Sequence, residues 1–174
     1  MGVDTIYALG DDQMTAHWNL IFPNGIPTGG STEEMVMRIT DFDPPEQSIE
    51  RYEVSYHGLT IEKTGSPSES KEFTLTIRLK KDWSIYTNMK RWANGGADPE
   101  TGARMADDDL RTTVILQPID IDENGEEVPT RDPITYKRCK LVGLKLSTFD
   151  HTNKTDPMTY TATFIYVSQK DKPY

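Results

Sequence analysis

The chain has 174 residues, enough for one domain with one core, and no apolar run of 18 or more that would read as a transmembrane helix. Its hydrophobic fraction is 35%, its charged fraction 27% and its net charge −9, a balance that argues against binding nucleic acid by phosphate neutralisation. The start, MGVDTIYALGDDQM, has no basic stretch before an apolar block and so does not read as a signal peptide, and Ile6 stands where a myristoylation signal wants Ser or Thr.

Residues 1–15 have little periodicity and read as an N-terminal arm; residues 16–170 read as a single β domain. Trp18, Leu20 and Phe22 alternate with His17, Asn19 and Ile21 in a first strand, and a Pro/Gly loop follows. Met35, Met37 and Ile39 suggest a second strand, broken at Asp41–Pro45. Tyr52, Val54 and Tyr56 mark a third, resuming at Leu59 and Ile61 after a turn or bulge at Gly58. Residues 64–70 read as a polar connector.

The clearest stretch is Lys71 to Gly95. Phe73, Leu75, Ile77 and Leu79 share one strand face, with Thr74, Thr76 and Arg78 on the other. At Asp82, read as an N-cap, the period changes. Trp83, Tyr86, Met89 and Trp92 then form the apolar face of a helix over about 82–94, expected to pack on a sheet and to stop at Gly95–Gly96.

Residues 95–110 are irregular and end in Asp107, Asp108 and Asp109, either a solvated loop or a charged patch facing a partner or a channel. Thr112–Ile121 is a strand entering a hairpin at Asn124-Gly125, a favoured type I′ pair. Tyr136–Leu146 is a long strand with a bulge expected at Gly143. In the last strand Tyr160, Ala162, Phe164 and Tyr166 oppose Thr159, Thr161, Thr163 and Ile165, and both faces read as covered. The fold class is therefore mainly β: a sandwich or barrel of about seven antiparallel strands with one flanking helix.

Catalytic and cofactor chemistry finds no footing. The three histidines, His17, His57 and His151, lack partners at metal-ligand spacing, and no nucleophile elbow or phosphate-cradling loop occurs. Asp120-Ile121-Asp122-Glu123-Asn124-Gly125 opens like a calcium loop, but Arg131 stands where the closing Glu belongs and Pro129 and Pro133 forbid the exit helix. The single cysteine, Cys139, lies between Arg138 and Lys140; adjacent strand residues face opposite ways, which favours a structural residue over an activated thiolate. No catalytic, metal or cofactor site is expected.

The order of these elements resembles the tail tube proteins of contractile-tailed bacteriophages and their relatives in contractile injection systems. The carriers are HWNLIFPNG, the strands at 34–40 and 49–62, FTLTIRL, the join DWSIYTNMKRW, and the closing order LVGLKLSTFD then TYTATFIYV. The likeness spans about residues 15–168, departing at the 96–110 loop and the acidic tip at 122–128. It implies a non-catalytic subunit that joins six to a ring and stacks into a hollow tube through which phage DNA leaves, without specific DNA binding and without a membrane. The implied partners are the chain itself, a tail sheath, a tape measure protein, and baseplate and terminator proteins; the implied location is the virion tail, assembled in the host cytoplasm. Thr74, Thr76, Arg78, Thr159, Thr161, Thr163 and the Asp107–Asp109 triplet become candidates for lumen or interface. Six copies at −9 give a ring of about −54, which would discourage adhesion of a polyanion. Close variants are a baseplate tube-initiator or an injection-system tube protein. The alternative from another class is a monomeric β-sandwich module binding carbohydrate on Trp18, Tyr52 or Tyr56.

Overall fold

The computed structural model describes residues 17–56, 58–97, 100–149 and 155–170. The proposed N-terminal arm, His57 and His151 lie outside them. In chain order the elements are β1 (Trp18–Ile21), α1 (Thr32–Met37), β2 (Ile39–Asp43), β3 (Gln47–Tyr56), β4 (Leu59–Glu69), β5 (Glu72–Arg78), α2 (Ser84–Ala93), β6 (Thr112–Ile121), β7 (Glu127–Pro129), β8 (Ile134–Leu146), β9 (Thr159–Ile165) and β10 (Ser168–Lys170). The main sheet has the order β1-β6-β8-β9-β5-β2, with β7 added to β6 and β10 to β8, and every pairing is antiparallel. It curls into a half-barrel with α2 on its flank.

Period-2 alternation explains the centre of this sheet. Along β5 and β9, Phe73, Leu75, Ile77, Tyr160, Ala162 and Phe164 are buried while their neighbours are not. Cross-strand pairs share a face, so Phe73 meets Phe164, Leu75 meets Ala162 and Ile77 meets Tyr160 on the core side. The amphipathic α2 covers this side. Trp92 stands edge-on to Phe164 at 5.4 Å and Tyr86 edge-on to Tyr160 at 5.2 Å, geometries that suit aromatic quadrupoles. Gly143 does mark a bulge: the β8–β9 register shifts between Leu141 and Gly143. The faces of β9 are not equally covered, since Thr159, Thr161, Thr163 and Ile165 are half-buried.

The structure departs from the sequence reading in four places. The 34–40 stretch is not a strand but the short helix α1, followed by β2. Ser31 caps it, its Oγ accepting from the Glu34 amide at 3.3 Å, and only Met35 of its apolar residues is buried. Ser31-x-x-Glu34 has the capping-box spacing and outweighs the apparent alternation. Second, Asp41–Asp43 continues β2, with Phe42 turned toward Phe73, and the strand ends only at Pro44. Third, residues 64–69 are no connector but the far half of β4, paired with β3 through a bulge opposite Glu50. Fourth, the β6–β7 turn is not type I′. Gly125 has φ 80°, Asn124 is not in the left-handed region, and Gly125 N donates to Asp122 O at 3.0 Å. Those bonds describe a type I turn closed by a left-handed glycine, the three-residue hairpin form. The Asp122 carboxylate fixes it by accepting from the amides of Asn124 and Glu126, both at 2.8 Å.

Strands β3 and β4 form a sheet of their own. They pair along their length with each other and stand off the main sheet, rooted where Ser70 N donates to Glu46 O at 2.8 Å. The ten residues of β3 reach about 30 Å from that root.

Candidate functional site

The six polar residues singled out on β5 and β9 come together. Thr74 opposes Thr163, Thr76 opposes Thr161, and Arg78 opposes Thr159, making a hydroxyl ladder on the face away from the core. The register extends it across four strands. On one side Asp41 and Asp43 of β2 oppose Thr76 and Thr74; on the other, Lys145 of β8 opposes Thr161. The face thus grades from carboxylates through threonines to a lysine. Threonine suits such a place because its branched carbon favours strand while its hydroxyl stays wet.

The acidic triplet splits. Asp107 accepts from Lys140 on β8 and from Arg111, whose Nη2 lies 2.6 Å and Nε 2.9 Å away. Asp108 pairs with Arg138, while Asp109 is exposed. Arg138 adopts φ 57°, beside a shift in the β6–β8 register between Thr112 and Val114. Asp107 and Asp108 therefore form a clasp holding residues 100–111 to β8. Lys140, then Arg111, keeps the Asp107 carboxyl below the usual carboxylate range. A lowered folded pKa means that the clasp is whole above the ordinary aspartate pKa and opens as pH falls through the lowered one. Asp107→Asn should reproduce the acid state at neutral pH. Amide exchange over residues 105–111 should quicken while that of β5 and β9 is unchanged; unaltered exchange in the segment would show that the clasp holds nothing.

The helix residues take different places from those expected of one continuous face. Met89 and Trp92 are fully buried. Trp83 is 37% exposed, lies one residue before α2 at φ 59°, and touches Tyr86 edge-on at 5.5 Å. It caps Tyr86 from outside instead of packing on the sheet. Asp82 still serves the helix start: its Oδ1 accepts from Ser84 N at 3.0 Å and Ser84 Oγ at 2.9 Å. The Ser84 amide, with Lys80 behind it, pulls the Asp82 carboxyl down to about 2. Lys80 also pairs with Glu34 at 3.0 Å, and Glu34 with Arg38 at 3.3 Å, so one ion network ties α1 to the start of α2.

The remaining sequence signals resolve simply. Cys139 is fully buried, donates weakly to Tyr136 O at 3.2 Å, and burial pushes its thiol up to about 12, the opposite of activation. His17 pairs with Asp120 at 3.6 Å. Among the described residues no group of three or more His, Cys, Asp or Glu is placed to hold a metal ion. The aromatic trio proposed for a sugar platform does not assemble: Trp18 packs beside Phe42 at 6.2 Å, whereas Tyr52 stands on the separate β3–β4 sheet.

Two exposed features escaped the sequence reading. One is the apolar face of the β3–β4 hairpin, where Tyr52, Leu59 and Ile61 are 52%, 70% and 54% exposed. The other is a groove between β1 and α1, lined by Leu20, Ile21, Phe22, Pro23, Val36 and Met37. Exposed apolar residues in contiguous sets mark contact surfaces.

No protein-family model matches the sequence, and no curated protein matches it. Solved structures do. The chain overlays on a chain of the anti-feeding prophage tube-terminating cap with a TM-score of 0.57 and 11% identity, covering 92% of this chain and 91% of that one. It overlays on the sheath/tube terminator of an extracellular contractile injection system, PVC, with a TM-score of 0.57 and 9% identity over 93% and 97%. For the six-fold symmetrised anti-feeding prophage baseplate the values are 0.53 and 10% over 92% and 96%. The chain has a tail-tube-like fold of contractile systems.

Proposed function

We propose that this chain is a structural subunit of a contractile-system tube, without catalysis, that joins six copies to a ring and stacks its rings into a hollow conduit. The observation carrying this reading is whole-chain coverage: nothing large is left over in either partner of the overlay for a separate activity. The sheet supports it physically. Its path ends at β1 and β2, whose outer edges have no strand partner among the described residues. Such edges are natural joining points between copies. The threonine ladder is the surface proposed to face the lumen. In the phage version the cargo is DNA, which an acidic tube would pass without adhesion. The N-terminal arm is proposed to order on stacking. A sheath, a tape measure, a baseplate and a terminator are the proposed partners, and the virion tail, assembled in the host cytoplasm, the proposed location.

The structures it resembles are of a baseplate, a cap and a terminator, which favours a place at a tube end as the second reading. Negative-stain electron microscopy with sedimentation separates the two. Hollow tubes with six-fold symmetry at high concentration are the expected result. Isolated rings that never stack would place the chain at a tube end. A monomer at every concentration would reject the self-assembling tube and return weight to a binding module.

A further inference from the structure

The outer edge of β1 borders two hollows, of about 540 and 500 Å³. Leu20 and Val36 line both, so they run together as one trough along the strand from Trp18 to Pro23. α1 and β2 form the opposite wall, and no ladder joins β1 to β2.

Register fixes what β1 offers to the trough. Ile119 N donates to His17 O, and Trp18 opposes Pro118 while Asn19 opposes Gln117. Bonded and non-bonded positions alternate along an antiparallel pair. His17, Asn19 and Ile21 therefore bond to β6, and the peptide groups of Trp18 and Leu20 point the other way. Pro118 agrees with this: it has no N–H to donate to Trp18, and its own carbonyl accepts from Thr130 N at 3.2 Å. The trough thus holds sheet-edge N–H and C=O groups between apolar walls. That combination suits an added strand, whose backbone bonds the edge while alternate side chains fill the hollow.

The occupant has to be extended, about six residues long and nearly uncharged, because the walls already carry Asp41 and Glu33. Of the stretches outside the described residues, 57, 98–99, 150–154 and 171–174 are too short, and 1–16 is long enough. That stretch also joins β1 directly at His17. It contains Val3-Asp4-Thr5-Ile6-Tyr7-Ala8-Leu9, rich in β formers with one charge, followed by Gly10, where the chain can reverse. Leu9 set opposite Trp18 brings Tyr7 opposite Leu20 and Thr5 opposite Phe22 on the core side, with Ile6 opposite the half-exposed Ile21 on the outer side. A slip of one residue would instead bury Asp4 against Phe22.

We infer that residues 3–9 of this chain lie antiparallel on the outer edge of its own β1, as an added strand that fills the trough. The edge is then masked in the free chain. This goes beyond the tube reading and rests on it at one point: β1 is proposed there as a joining edge. The arm has to leave β1 before a neighbouring copy can take that edge, and it is then free to order on stacking.

Ile6→Cys combined with Ile21→Cys tests the pairing on the full chain at low concentration. Opposed cysteines at a position that makes no backbone bond across the new pair lie within disulfide reach, and buried Cys139 does not compete. Oxidation should give a monomer with an internal link, read as faster migration on a non-reducing gel. Thr5→Cys with Ile21→Cys, one residue out of register, should link far less. Amide exchange gives an independent reading: deleting residues 2–13 should speed exchange at Trp18 and Leu20 by roughly tenfold or more while β5 and β9 are unchanged. No link, a link only between chains, or exchange that the deletion does not alter would overturn the inference and leave the tube reading standing. The oxidised double variant should also fail to form rings until it is reduced; rings from the linked form would overturn the masking of the edge. Wild-type chains that form no rings at any concentration, alongside a clean internal link, would sink the tube reading and leave the added strand in place.

Discussion

Trp92→Ala should be the most damaging single truncation in α2, lowering stability by about 3–5 kcal/mol. The side chain is fully buried, its ring stands edge-on to Phe164, and its Nε1 donates to Leu110 O at 2.7 Å. Removal therefore leaves a large cavity and also strands a buried carbonyl, itself worth about 1–3 kcal/mol. For a chain of this length the fall in Tm is roughly 6–20 °C. Trp92→Phe separates the two losses, keeping most of the ring while giving up the bond. Trp83→Ala is the internal control. Exposed, outside the helix and resting only on Tyr86, it should cost about 1 kcal/mol or less. Thermal unfolding of the three variants decides the matter; equal losses at Trp83 and Trp92 would mean that α2 is seated differently from this account.

The bond from Trp92 has a consequence beyond the helix. Leu110 lies two residues before the start of β6, in the segment that follows α2, and it is buried. The segment is thus pinned at two points: to the core by Trp92 and to β8 by the Asp107 clasp. Gly96 lets it leave the helix closely, since at φ 64° a Cβ there would sit 2.5 Å from Met105 Sδ. Residues 95–97 and 100–111, none of them in a helix or strand, are tied down in this way.

What the sequence made legible was whatever a periodic pattern alone determines. β5 and β9 alternate strictly because one side is core and the other is not, and α2 declares itself where period 2 gives way to Trp83, Tyr86, Met89 and Trp92. The polar character of the Thr74 and Thr163 faces followed from the same alternation, but not that the two strands pair. The misses share a different cause. α1 is six residues long, too short for helical periodicity to show, and was betrayed only by Ser31-x-x-Glu34. The far half of β4, TGSPSE, has connector composition because neither face meets the core; what keeps it a strand is its ladder to β3. Cross-strand partners are long-range facts, so the standing hairpin, the β1–α1 groove and the clasp from Asp107 to Lys140 had no local signature. Trp83 was misplaced by one residue of helix register, enough to turn it from the core to the outside.

Phe73→Ala is the second large effect, and it connects the core to the proposed assembly. Phe73 on β5 lies 5.2 Å from Phe164 in near-parallel stack, 5.1 Å from Tyr136, 5.6 Å from Phe42 and 6.2 Å from Tyr166. Phe42 on edge strand β2 in turn meets Trp18 on edge strand β1 at 6.2 Å, so the ring cluster around Phe73 backs the contact that joins the two edges. The curl of the half-barrel is set where those edges are drawn together. Phe73→Ala should cost about 3–5 kcal/mol, whereas Phe73→Leu, which restores most of the volume but not the stacked faces, should cost about 1–2 kcal/mol. The leucine variant is the informative one. It should remain folded at room temperature, yet a ring closes only when every copy presents its edges at one angle. If the aromatic chain sets that angle, Phe73→Leu should fold but form fewer or irregular rings under the electron microscope. Tubes of normal diameter from that variant would show instead that strand register, held by the unbroken β5–β9 ladder, determines the curl without help from the rings.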